Sequence, residues 1–101
     1  GYGPPAIVGA KIAKPDVPVV GFAGDGAFGI AVTELTAIGR PEWPAITMVV
    51  FRNYQWGAEK RNSTLWYDDN FVGTELSDRV SYAGIARACG LDGVVARTMG
   101  E

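Results

Sequence analysis

Two short apolar runs, Val17 to Phe22 and Ile46 to Phe51, each stop at a polar turn, and a helix-length segment separates them. Both runs are rich in β-branched residues and bounded by turn formers, the pattern of strands buried on both faces of a parallel sheet. Parallel neighbours need a long crossover, and Ala27 to Ile38 offers one. Its Ile30, Leu35 and Ile38, with Ala31 and Ala37, fit a helical face. Gly39 suits a C-cap, and Pro41 and Pro44 prevent continuation. Strands alternating with helices predict β-α-β units with right-handed crossovers, the building block of an α/β doubly wound parallel sheet in three layers.

The flanking segments extend this pattern. Pro4-Pro5 followed by Ala6 to Ala13 reads as a helix start, since proline suits the first turn, and Lys14-Pro15-Asp16 stops it. Ala58 to Thr74 is irregular and receives no element. Ser81 to Cys89 reads as a further helix, with Tyr82, Ile85 and Ala86 on one face and Gly90 as its stop. Gly93 to Ala96 begins a third strand. The chain lacks an initiator Met and ends just past that apolar run, so a part of a larger protein is expected. A sheet trimmed in this way has unpaired edges.

Composition removes several function classes. Hydrophobic residues make up 48% and charged residues 20%, an ordinary globular balance that argues against disorder. The net charge is −2 with no clustered basic face, so nothing here is built to hold a nucleic-acid backbone. The apolar run Ala45 to Phe51 is too short to span a bilayer, and Gly1-Tyr2-Gly3-Pro4-Pro5 is not a signal peptide. With a single cysteine, Cys89, and no histidine, a disulfide framework, a zinc site and a Cys-His nucleophile pair are all excluded. A cytoplasmic globular protein is the default expectation.

In doubly wound folds, ligands bind beyond the carboxyl ends of the strands. The first run ends in Gly24-Asp25-Gly26-Ala27 and then a helix. Glycines let backbone approach a ligand, and the N–H groups of a helix start favour phosphate. Asp25 conflicts with phosphate unless a cation lies between them. Mg²⁺ would do so, since it takes hard oxygen ligands from one or two protein groups and completes its shell with phosphates. The second run ends at Arg52-Asn53-Tyr54-Gln55, where Asn53 offers an amide oxygen and Gln55 a backbone carbonyl. Singly, Gly-Asp-Gly is also a plain hairpin or linker turn, and an Asn after a strand is more often a turn residue. The pair carries the argument, because strands joined by one crossover bring both turns to the same sheet edge.

Gly24-Asp25-Gly26, a helix, a strand and then Asn53 resemble the signature of thiamine diphosphate-dependent enzymes, Gly-Asp-Gly followed after a spacer by Asn-Asn. Arg52 replaces the first Asn of that pair; the metal ligand in the family is the second, matched by Asn53. Gly1-Tyr2-Gly3-Pro4-Pro5-Ala6 with Gly9-Ala10-Lys11 is similar to the preceding helix in the acetohydroxyacid synthase branch. The likeness covers residues 1–101 and implies part of a thiamine diphosphate-binding domain, with Asp25, Asn53 and the Gln55 main chain as Mg²⁺ ligands. It places Gly24, Gly26 and Ala27 beside the cofactor's diphosphate. It also implies that the activating glutamate lies in another domain, usually on a partner subunit, so Glu34, Glu42, Glu59 and Glu75 are not catalytic candidates. No catalytic residue is expected in this chain, and the reactive centre belongs to the cofactor.

The loop Gln55-Trp56-Gly57-Ala58-Glu59-Lys60, with Phe71 to Leu76, resembles the sulfoacetaldehyde acetyltransferase branch more than the acetohydroxyacid synthases. That implies sulfoacetaldehyde and phosphate as substrates, acetyl phosphate and sulfite as products, and a homodimer or homotetramer. An acetolactate synthase, a 2-oxo acid decarboxylase and a non-catalytic relic of the fold are the alternatives. Both substrates are anions, so Arg52, Lys60 and Arg61 are candidate cations, though a solvated surface cluster explains them equally well. Trp56 and Trp66 read as core residues before pocket walls, and Cys89 as a small buried hydrophobe.

Overall fold

The computed structural model describes residues 1–101. Helix α1 spans Gly3–Ala13, with Pro4 in its first turn and buried. It ends where Pro15 forbids another turn. Lys11 is buried in the last turn, and its ammonium donates to the carbonyls of Pro15 (2.7 Å) and Val17 (2.8 Å). A cation is tolerated there because backbone acceptors replace its water.

Strand β1 is Val20–Gly24 and begins later than the apolar run beginning at Val17. The Val17 carbonyl is taken by Lys11, and Pro18 has no N–H to give a ladder. Strand β2, Thr47–Phe51, pairs with β1 in parallel, with Val20 opposite Thr47 and Gly24 opposite Phe51. Gly21 faces α1 so closely that any side chain there would collide with Ile7. On the opposite face Phe22 and Phe51 stack at 6.0 Å and remain exposed. The expectation of strands buried on both faces therefore holds for one face within this chain.

The crossover departs from the single helix expected over Ala27 to Ile38. Helix α2 occupies Asp25–Ile30, a 3₁₀ turn follows at Val32–Glu34, and α3 is Leu35–Ile38. The break falls at Ala31, whose backbone (φ −103°, ψ 12°) leaves the helical region. Phe28, Ala31 and Leu35 nevertheless form one buried stripe, because three- and four-residue steps keep them on one side. Gly39 caps α3, its N–H donating to Leu35 at 3.2 Å, and a side chain there would strike the Cys89 carbonyl.

Beyond β2, the segment left unassigned contains helix α4, Gly57–Trp66. It has no apolar stripe, so periodicity is silent, and its Ala58-Glu59-Lys60-Arg61 start is helical by propensity alone. Gln55 then bridges Glu75 in antiparallel fashion. Helix α5 is Tyr82–Ala88, capped by Ser81, whose Oγ accepts from the Gly84 N–H at 3.1 Å, and Gly90 turns the chain out of it with φ 82°.

The third strand expected at Gly93 to Ala96 is absent: the sheet has two strands and these residues are unpaired. Gly93 lies against the backbone of Ala83 in α5. An apolar run becomes a strand only with an edge within hydrogen-bonding reach. No helix is long and apolar enough to cross a membrane.

Candidate functional site

The C-terminal ends of β1 and β2 lie side by side, since Gly24 pairs with Phe51. Both polar turns therefore leave the sheet at the same edge. Between them is a cavity of about 500 Å³ whose lining includes Gly24, Asp25, Ala27, Asn53, Gln55 and Gly57. Every residue singled out in the two turns borders it.

Asp25 opens α2 and is 2% exposed. Its Oδ1 accepts from the Gly26 N–H at 3.1 Å and its Oδ2 from the Tyr54 N–H at 2.8 Å. The second bond crosses from one turn to the other. The chain's two ion pairs are Arg40 with Glu42 and Lys60 with Glu75, so this buried carboxylate has no cationic side chain as partner. A buried charge held by two amides alone is well suited to a cation from outside the chain.

Asn53 is exposed, and its Oδ1 accepts from the Gln55 N–H at 3.2 Å. Tyr54 sits at φ 61°, a costly conformation for a large side chain, and it separates Asn53 from Gln55. The Trp56 N–H donates to Thr74 (2.7 Å) and Leu76 donates to the Tyr54 carbonyl (2.8 Å). In that antiparallel pattern residues 54 and 56 address the 74–76 segment, which leaves the Gln55 carbonyl turned to the opposite side. Trp56 packs on Gly26, where a Cβ would come within 2.9 Å of its ring. Gly24 meets nothing within 4 Å, so its backbone is open to a ligand. The Gly26 N–H is taken by Asp25, while Ala27, in the first helical turn, has no intrahelical acceptor for its own.

No cluster of three or more His, Cys, Asp or Glu is present, so side chains alone close no metal site. One carboxylate, one amide and one main-chain carbonyl could hold a hard divalent cation whose remaining ligands come from phosphate and water.

The candidate cations separate. The Arg52 guanidinium donates to the carbonyls of Ser77 (3.2 Å) and Asp78 (3.1 Å) and lies over the Tyr54 ring at 4.4 Å. Lys60 pairs with Glu75, and that bond holds the Glu75 carboxyl below its ordinary value. Arg61 is exposed. Trp66 is 76% exposed and is neither core nor pocket wall in this chain, because α4 has no apolar face to bury. Cys89 is half-buried rather than buried, at the end of α5 beside Gly39.

One residue of the site escaped sequence reasoning altogether. The Tyr82 hydroxyl donates to the Asp25 carbonyl at 3.2 Å, across 57 residues of chain. Its ring meets Phe28 edge-on at 5.3 Å. Burial, with the Asp25 charge, raises its pKa, and Arg52 opposes that shift. No local pattern marks a pairing at such separation.

Comparison with known proteins identifies the family of the chain. The chain is 86% identical over 101 residues to a sulfoacetaldehyde acetyltransferase of Rhodobacter capsulatus, covering 100% of this chain and 17% of that protein. It is 33% identical over 93 residues to the acetolactate synthase isozyme 2 large subunit of Escherichia coli, covering 92% of this chain and 17% of the relative. Among solved structures it superposes on the Rhodococcus jostii RHA1 thiamine diphosphate-dependent 4-hydroxybenzoylformate decarboxylase with a TM-score of 0.86 at 27% identity. That match covers 96% of this chain and 18% of the other. The chain thus spans about 17% of the length of the curated relatives it matches. Residues 1–101 match the sequence profile described as thiamine pyrophosphate enzyme, C-terminal TPP binding domain. With the parallel β-α-β unit and its paired turns, this chain belongs to the C-terminal thiamine pyrophosphate-binding domain family of thiamine pyrophosphate enzymes.

Proposed function

We propose that Asp25, Asn53 and the main-chain carbonyl of Gln55 hold Mg²⁺, and that Gly24, Gly26 and Ala27 lie along the diphosphate of thiamine diphosphate. The fit rests on the donor set: a 2%-exposed carboxylate without a cationic side chain as partner, at a cavity also lined by the amides Asn53 and Gln55 and by Gly24, Gly26 and Gly57. Asp25 supplies the charge, and its bond to Tyr54 fixes the distance between the two turns. Trp56 backs Gly26 and keeps the wall of the cavity rigid. When bound, thiamine diphosphate supplies the carbanion-stabilising centre on which acyl transfer depends.

The full-length protein is, on this reading, a thiamine diphosphate-dependent acyltransferase that takes sulfoacetaldehyde and phosphate to acetyl phosphate and sulfite. The observation that carries it is 86% identity across the whole chain to a protein of that name, against 33% to an acetolactate synthase. Arg52 and Lys60 are occupied within the chain, so recognition of the anionic substrates falls to Arg61 or to residues outside this segment. The same reading places the enzyme in the cytoplasm as a homodimer or homotetramer, which light scattering on the full-length protein decides. The decisive assay follows sulfite release from sulfoacetaldehyde by the full-length protein with phosphate, Mg²⁺ and thiamine diphosphate. Phosphate-dependent sulfite release is expected. Acetolactate formation from pyruvate without sulfite release would move the protein to the sister branch.

A further inference from the structure

We propose that Arg52 and Tyr82 are positioning residues of the Mg²⁺–diphosphate site, closing a clasp that holds the Asp25 and Asn53 turns in register. The proposal rests on the assignment of Asp25 and Asn53 as metal ligands made above. A closed circuit of contacts carries it. The Asp25 carboxylate accepts from the Tyr54 N–H at 2.8 Å. The Tyr54 ring lies under the Arg52 guanidinium, 4.4 Å from its centroid. The same guanidinium stands 5.5 Å from the Tyr82 ring centroid. The Tyr82 hydroxyl then returns to the Asp25 carbonyl at 3.2 Å.

Two further contacts stiffen the circuit. Arg52 donates to the carbonyls of Ser77 and Asp78, which fixes the segment leading into α5, where Tyr82 is the first residue. Phe28, buried in α2, meets the Tyr82 ring edge-on at 86° and prevents it from swinging away. At the centre is Tyr54, held at φ 61°. A bulky residue persists in that region only where its surroundings over-determine it. Here its N–H, its carbonyl, which accepts from Leu76 at 2.8 Å, and its ring are all engaged. Asn53 precedes Tyr54 and Gln55 follows it, so relaxation of Tyr54 re-aims both proposed ligand oxygens.

Arg52 suits this place by shape rather than by charge. A guanidinium is planar, stacks on aromatic faces and donates in a fixed fork, whereas a lysine ammonium does none of these. The Arg52→Lys substitution therefore separates a strut from an anion receptor.

The test uses the full-length protein as wild type, Arg52→Lys, Arg52→Ala and Tyr82→Phe. It measures three quantities: apo-protein melting by scanning calorimetry, thiamine diphosphate affinity at graded Mg²⁺ by titration calorimetry, and KM for phosphate. Arg52→Lys is expected to weaken Mg²⁺-dependent cofactor binding by about ten-fold or more, the lower end of what outer-shell partners of a metal site contribute. Tyr82→Phe keeps the ring and deletes one hydroxyl, and it weakens binding by a smaller factor. Melting of the apo-protein and KM for phosphate stay near wild type in both. Unchanged cofactor affinity in Arg52→Lys overturns the clasp, whether its melting point falls or not. A raised KM for phosphate at unchanged cofactor affinity also overturns it and makes Arg52 an anion receptor. If Arg52→Ala does not fold, the two conservative variants carry the test. Failure of the wild type to bind thiamine diphosphate with Mg²⁺ overturns the ligand assignment itself, and the clasp with it.

Discussion

Asp25 combines two tasks that its substitution pulls apart. Its Oδ2 ties the two turns through Tyr54, and its charge is the only one in the cavity wall buried to 2% exposure. Asp25→Asn keeps an oxygen that can accept from Tyr54 but removes the charge proposed to hold Mg²⁺. In the full-length protein it is expected to weaken Mg²⁺-dependent cofactor binding by about 100-fold, or ~2.7 kcal/mol, with little change in melting. Asn53→Ala removes a proposed neutral ligand at an exposed position and is expected to lose roughly ten-fold. Wild-type affinity in either variant, read by calorimetry, removes that residue from the ligand set. Glu75 makes a pH prediction. Its hydrogen bond to Lys60 lowers its pKa below the ordinary 4.5, so the folded state favours the ionised form. The contribution is complete above pH 4.5 and is lost as pH falls through the lower folded value. Glu75 is solvent-exposed, so the effect is small and screened by salt. The melting difference between wild type and Glu75→Gln should shrink on acidification; a difference that persists at low pH assigns the contact to packing instead.

Helix α1 meets the sheet through Gly21, and this contact sets how β1, and hence Asp25, is placed. A side chain at Gly21 collides with Ile7, so Gly21→Val overpacks the α1–β1 seam. Overpacking of this kind costs about 1–3 kcal/mol and is expected to lower the melting point of the full-length protein by several degrees. The turns leave the far end of the strand, so cofactor affinity of the remaining folded enzyme should hold. An unchanged melting point would mean that α1 moves freely on the sheet. Where an element carries an apolar stripe or run, the sequence announces it: β1, β2 and α5 lie within a few residues of the apolar patterns that predict them. Helix α4 carries no apolar stripe, so periodicity does not announce it. The crossover reads as one helix in sequence because Phe28, Ala31 and Leu35 stay in line across a break that periodicity cannot register.

Only 9 of 101 residues are buried, and no large side chain is wholly enclosed, so this segment has too little core to be stable by itself. Phe22 and Phe51 leave one sheet face open, and β1 and β2 each have an unpaired edge. Expressed as the isolated 101-residue chain, it is expected to self-associate, to bind thiamine diphosphate weakly and to form no acetyl phosphate. Monomeric behaviour in light scattering, or turnover, would contradict this. The residues alone determined the β-α-β order, the two polar turns at one sheet edge, and Asp25, Asn53 and Gln55 as the candidates that border one cavity there. These follow from short-range chemistry: apolar runs, turn formers, and a crossover that obliges parallel strands to end together. Only the tertiary structure decided that Gly93 to Ala96 pairs with nothing, that Arg52 and Lys60 are spent inside the chain, and that Tyr82 reaches Asp25 across 57 residues. Those outcomes depend on which surfaces meet after α5 folds back toward α2, and no local pattern encodes a contact whose partners are so far apart along the chain.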